Sequence, residues 1–147
     1  MEFHIIPMNA EMAAEVARLE TVCFSDPWSL DSVLAELENE YAAWLCAVDE
    51  AGTVIGYGGV HVLYGEGEIM NIAVAPSARC GGIGTALMTA LIAAASDAEA
   101  IFLEVRASND AAIRLYERFG FVRIAVRKNY YSLPTEDAHI MRKEMKK

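Results

Sequence analysis

The hydrophobic positions of this chain fall into short runs whose spacing changes repeatedly between two and about 3.6 residues. Phe3 to Pro7 reads as a first strand. Met12, Val16 and Leu19 then recur at helical spacing, with Asn9 placed to cap them. Asp26-Pro27-Trp28-Ser29 ends that helix, and Ser29 opens a second one carrying Leu30, Val33, Leu34 and Leu37. Ala43 to Val48 predicts a strand, and Asp49-Glu50-Ala51-Gly52 a hairpin turn. The next strand, Val54 to Leu63, contains Gly56, Gly58 and Gly59, which predicts a bulge or close packing. Tyr64-Gly65-Glu66-Gly67 reads as a second turn before a strand from Glu68 to Val74. Ile83 to Ser96 is helical and apolar enough to be buried. Ala100 to Ala107 follows as a mostly apolar strand. Ser108 or Asn109 caps a helix through Phe119, and Gly120 stands where a helix stops. Phe121 to Val126 and Ala138 to Met145 are the last strands, joined by a loop containing Pro134. An antiparallel run leading into a βαβ crossover predicts an α/β fold: a mixed sheet with helices on both faces.

The length, 147 residues, fits one domain spanning residues 1–147. Just over half of the residues are hydrophobic and under a quarter are charged, so the chain folds rather than staying disordered. Met1 to Met12 has acids and no basic cluster, unlike a signal peptide. The longest uncharged run, Cys80 to Ser96, holds three glycines and two threonines and falls short of a membrane span. Cys23, Cys46 and Cys80 are widely spaced and form no Cys-x-x-Cys, which argues against a disulfide framework or zinc site. A reducing cytoplasm fits that usage. The net charge of −9 is uneven: residues 1–70 carry thirteen acids and one base, Arg18, whereas residues 71–147 carry eight acids and eleven bases. Solvated helix faces account for this. So does a division in which the basic half meets an anionic cofactor and the acidic half a cationic acceptor. The acidic balance speaks against nucleic acid as a direct partner.

The chemistry concentrates around Arg79-Cys80-Gly81-Gly82-Ile83-Gly84-Thr85, between the apolar run Ile69 to Val74 and the long helix. Strand, glycine loop and helix turn backbone N–H groups towards an anion, and the helix dipole adds to them. The loop lacks the Lys-Ser/Thr ending of a triphosphate P-loop and the spacing of a dinucleotide fingerprint.

Arg79-x-x-Gly82-x-Gly84 resembles the acetyl-CoA loop of the GNAT N-acetyltransferases, and the element order is similar to theirs along essentially the whole chain. Asn71-Ile72-Ala73-Val74, Leu103-Glu104-Val105-Arg106-Ala107-Ser108-Asn109, the stretch Ala111 to Phe121, Arg127-Lys128-Asn129-Tyr130-Tyr131 and Glu136-Asp137-Ala138 resemble that family's ribosomal-protein alanine N-acetyltransferases. The resemblance implies the GNAT fold, with a mixed, mostly antiparallel sheet. It implies acetyl-CoA as cosubstrate and a ribosomal-protein N-terminus as acceptor. Ile72, Ala73 and Val74 would pair with the pantetheine arm like an added strand. Arg79, Cys80, Gly81, Gly82, Ile83, Gly84 and Thr85 would form the pyrophosphate loop. Asn109 would bind near the reacting end, Glu104 would be the general base, and Tyr116 the general acid.

Glu104 lies in Ile101 to Val105, a run apolar enough to be buried on both faces. Burial would raise its pKa towards neutral and suit a base. An ion pair with Arg106, two residues along the same strand face, is the alternative. Tyr116 lies two turns after Asn109 on one helix face, within about 10 Å along the axis. Without the resemblance it reads as a core aromatic beside Ile113 and Phe119. Cys80 departs from the polar residues many relatives carry there, which leaves its amide but no phosphate contact from its side chain. His4, His61 and His139 have no ligand spacing, and no Gly-x-Ser-x-Gly is present. By resemblance, Trp28, Glu66, Glu68, Tyr130 and Tyr131 border the acceptor, each also readable as core or turn. The alternatives to a protein N-terminus are a lysine side chain, a small amine, or a module that binds acetyl-CoA without turnover.

Overall fold

The computed structural model describes residues 2–145. Among them, seven strands form one sheet: β1 (Phe3–Pro7), β2 (Ala42–Asp49), β3 (Val54–Leu63), β4 (Glu66–Val74), β5 (Ala100–Arg106), β6 (Val122–Tyr131) and β7 (Glu136–Glu144). Their spatial order is β1-β2-β3-β4-β5-β7-β6. The helices are α1 (Ala10–Cys23), α2 (Leu30–Leu37), α3 (Ile83–Ala94) and α4 (Asp110–Arg118). All neighbouring strands run antiparallel except β4 and β5, so the sheet is mixed and mostly antiparallel, as expected. No helix among the described residues is long and apolar enough to cross a membrane.

Local chemistry sets most of the boundaries. Asn9 Oδ1 accepts from Met12 N at 3.1 Å, and Ser29 Oγ from Ser32 N at 3.1 Å, so both predicted caps form. Between the two candidate caps of α4, Asn109 is the one used: its Oδ1 accepts from Ala112 N at 3.2 Å. Gly120 follows the last turn with φ +94°, a left-handed stop. The second hairpin is tighter than the sequence suggested. Tyr64 (φ +54°) and Gly65 (φ +81°) alone make the turn, and β4 begins at Glu66. Two residues with positive φ match the strand twist, so no further loop is needed. The strand β6 runs on to Tyr131, beyond the expected end at Val126.

The glycines of β3 let layers approach on both faces. A Cβ on Gly58 would lie 2.8 Å from Leu91 of α3, and one on Gly59 would overlap the Trp44 ring. Gly58 therefore faces α3, and Gly59 the opposite layer, where Tyr57 reaches Glu20 of α1. Leu87, Met88 and Leu91 of α3 are sealed on one side, and Ala13, Val16 and Leu19 of α1 on the other. Tyr116 of α4 joins the α3 side, packed with Leu103, Val105 and Phe121.

The helices α1 and α2 pack over β2, β3 and β4 and leave β5 partly uncovered. That overturns the expectation that β5 is buried on both faces. Ile101, Leu103 and Val105 are buried, while Phe102, Glu104 and Arg106 alternate with them and are half-buried. The strand reads apolar because Ala100 and Phe102 share that side with Glu104 and Arg106.

Gly59→Ala will lower stability by about 3 kcal/mol in denaturant unfolding, because the rigid Trp44 ring has to move. In a Trp44→Leu background the same change will cost far less.

Candidate active site

The parallel pair β4–β5 is short. Glu66, Gly67 and Glu68 face Ala100, Ile101 and Phe102, and the ladder stops there, although β4 continues to Val74 and β5 to Arg106. Its pairing with β3 shows why. Gly59 faces Asn71 and Val60 faces Ile69, so Met70 is an extra residue in β4. Such a bulge bends its strand and ends regular pairing. The edges of Ile69–Val74 and Leu103–Arg106 are left without a strand between them. Backbone donors and acceptors on such edges require partners. An extended molecule carrying amides supplies them as an added strand does.

The chain then turns over the end of that split. Pro76–Ala78 is one turn of 3-10 helix, and Arg79 to Gly82 follow. Cys80 has φ +69° and Gly82 φ +85°. Gly82 needs the absence of a side chain for its backbone angle rather than for room, since nothing lies within 4 Å of a Cβ there. The first α-helical bond of α3 runs from Ala86 N to Gly82 O at 3.0 Å, and no side chain caps the helix. The amides of Ile83, Gly84 and Thr85 therefore have no acceptor inside the helix. Uncapped amides after a left-handed glycine fit a pyrophosphate. The Arg79 side chain braces the split: Nε donates to Val74 O at 3.0 Å, and Nη2 lies 3.6 Å from Cys23 Sγ. Cys80 is exposed. Asn109 Oδ1 is taken by its capping bond, which leaves the amide hydrogens as donors.

Glu104 and Tyr116 approach β5 from opposite faces. Tyr116 belongs to the cluster holding Leu103 and Val105, whereas Glu104 alternates with those residues. The Glu104 side chain is 24% exposed, and its ion pair is with Arg127 Nη1 at 3.7 Å. The alternative pairing with Arg106 does not form: Arg106 pairs with Glu136 at 3.2 Å. Tyr116 is 6% exposed and stands 6.1 Å from Phe121, ring to ring. Burial raises its phenol well above the ordinary range, so it keeps its proton at neutral pH.

The open face beside Glu104 carries aromatic and acidic groups. Hydrogen bonding to Glu104, then burial, raises the Tyr130 phenol, with Glu68 adding to it. Burial first, and Glu104 second, push Tyr131 up to about 12. Tyr130 is 45% exposed, so it is not the packing aromatic that its sequence context allowed. Trp28 does pack, edge-on to Trp44 at 5.5 Å. Glu66 sits at the closed end of the β4–β5 pair, opposite Ala100 and two residues farther from the split than Glu68.

Two polar hubs escaped the sequence reading. Glu20 is 2% exposed and accepts from Tyr57 Oη, from Asn71 Nδ2 at 2.7 Å and from Trp28 N at 2.8 Å. Its signal was present, since it follows Leu19 and lies one turn after Val16 on the buried face of α1. Glu36 of α2 accepts from Trp44 Nε1 at 2.9 Å and lies 2.6 Å from His61 Nε2.

Burial pushes the Glu36 carboxyl up, but hydrogen bonds from His61 and Trp44 outweigh that and leave it below its usual 4.5. A lowered folded-state pKa means a stabilisation that is complete above the unfolded value and is lost as pH falls through the folded one. The stability difference between the wild type and Glu36→Gln will therefore be level at neutral pH and will shrink below pH 4.5. Urea unfolding of both proteins across that range measures it.

The acetyltransferase (GNAT) family profile matches residues 13–121. The chain is 35% identical over 138 residues to the N-alpha-acetyltransferase RimI of Mycobacterium tuberculosis, covering 90% of this chain and 86% of that one. It is 36% identical over 121 residues to the ribosomal protein bS18-alanine N-acetyltransferase of Escherichia coli K12, covering 78% and 79%. The crystal structure of the Escherichia coli ribosomal-protein-S18-alanine N-acetyltransferase superposes with a TM-score of 0.91 at 29% identity, over 99% of this chain and 96% of that one. With the split sheet, the uncapped loop and these likenesses together, the chain belongs to the acetyltransferase (GNAT) family and is an acetyl-CoA-dependent N-acetyltransferase.

Proposed function

We propose that this chain acetylates the N-terminal alanine amine of a small-subunit ribosomal protein, by direct attack in a ternary complex in the cytoplasm. The observation that carries this reading is the half-open carboxylate of Glu104 beside the split between β4 and β5. The name of the Escherichia coli relative supports a ribosomal-protein alanine as acceptor, and that of the Mycobacterium tuberculosis relative supports an α-amine. Acetyl-CoA, when bound, supplies an acetyl group activated as a thioester.

In this reading the free edge of Ile72, Ala73 and Val74 holds the pantetheine arm. The amides of Cys80, Gly81, Gly82, Ile83, Gly84 and Thr85 hold the pyrophosphate, and Arg79 keeps the loop against Val74. Asn109 donates its side-chain amide near the reacting end. Glu104 accepts a proton from the acceptor's ammonium, directly or through water, and frees the lone pair that attacks. As the new C–N bond forms and the C–S bond breaks, Tyr116 Oη gives its proton to the departing sulfur. The second proton lost from the nitrogen restores Tyr116. Its raised pKa favours the protonated acid that this step needs. Glu68, Glu104 and the unevenly acidic first half attract a cationic N-terminus.

A peptide beginning with Ala and followed by basic residues will be acetylated, and the same peptide with a blocked N-terminus will not. Equal turnover of both defeats the assignment to the α-amine. Glu104→Gln and Tyr116→Phe will each lower kcat about a hundredfold and leave acetyl-CoA affinity near wild type. Loss of acetyl-CoA binding alone would move these residues from chemistry to structure.

A further inference from the structure

We infer that Arg106 is a positioning residue that sets both walls of the acceptor groove, by tying the α1–α2 connection to the β6–β7 connection through one guanidinium; this rests on the acceptor reading above. Arg106 follows Glu104 by two residues on the same open face of β5, about 7 Å along the strand. Its Nη1 donates to Pro134 O at 3.0 Å and to Glu136 Oε1 at 3.2 Å. Its Nη2 donates to Ser132 O at 3.2 Å and to Ser25 Oγ at 3.3 Å. The guanidinium carbon lies 4.4 Å from the centre of the Tyr131 ring. Ser25 precedes Trp28 in one connection, while Tyr131, the last residue of β6, leads into the other.

Neither connection has a core of its own. Ser25, Asp26 and Pro27 are exposed, and so are Ser132, Leu133, Pro134 and Thr135, with Leu133 at 67%. Phe24 and Trp28 anchor the two ends of the first connection in the core. Apolar burial does little for the exposed residues 25–27 and 132–135, and the Arg106 fork joins those two stretches. The carboxylate it meets is fixed in turn. Ser108 N donates to Glu136 Oε2 at 2.6 Å. Hydrogen bonds from Ser108 first, and Arg106 after, hold Glu136 below the usual carboxylate range. The next residue, Asn109, caps α4. One cation thus links both groove walls to the start of the helix that carries Tyr116. Lysine cannot replace it, because a single ammonium does not offer a planar fork to two carbonyls, a carboxylate and a ring.

The test compares the wild type with Arg106→Met, Arg106→Lys and Ser25→Ala. Hydrogen exchange of residues 24–29 and 131–136 will quicken together in both Arg106 variants, and in Ser25→Ala only over 24–29. The KM for an Ala-first basic peptide will rise about tenfold in the Arg106 variants, with acetyl-CoA affinity unchanged. Restoration of wild-type exchange and KM by lysine would overturn the inference. So would wild-type exchange in both segments of Arg106→Met, or a loss of acetyl-CoA affinity in step with the rise in KM. If the wild type does not acetylate the peptide, the acceptor reading fails, and the exchange pattern alone decides the role of Arg106.

Discussion

The separation of β4 from β5 is the constraint on which the rest depends. Two parallel strands that pair for three residues and then part leave polar backbone edges facing one another. That arrangement is costly unless a partner takes up the hydrogen bonds. The bulge at Met70 opens the gap, and the short parallel ladder closes its far end. Arg79 fastens the open end to Val74, so the loop and the strand edge keep one spatial relation.

The gap also explains how the proposed chemistry divides. On one side of β5 lies a sealed layer, where Tyr116 is surrounded by Leu103, Val105 and Phe121 and keeps its proton. On the other side α1 and α2 stop short, and Glu104 stays partly open among Arg127, Tyr130 and Glu68. A base that receives a proton from solvent-borne ammonium benefits from the open side. An acid that must stay protonated benefits from the closed one. Glu20 serves this layout from a distance. Its carboxylate ties Trp28, ahead of α2, to Asn71 at the start of the split.

The elements were legible in the sequence because caps, turns and glycines act locally. Asn9, Ser29 and Gly120 do what their types suggest, and Gly58 and Gly59 admit close neighbours as expected. What the sequence hid was coverage. The run Ile101 to Val105 gives no sign that α1 and α2 leave one side of it open, so Glu104 looked more buried than it is. Pairings between distant residues were hidden for the same reason. Arg106 stands two residues from Glu104 yet pairs with Glu136, because the strand order places β7 beside β5. Tyr130 looked like a packing aromatic, but edge strand β6 is exposed from Val122 to Tyr130.

Amide hydrogen exchange with and without coenzyme A tests the central claim most directly. The account predicts protection of two separated sets of amides at once: those of Asn71 to Val74 on the free edge of β4, and those of Ile83 to Thr85 in the uncapped first turn of α3. Protection of only the helix start, or protection confined to another edge of the sheet, would contradict it.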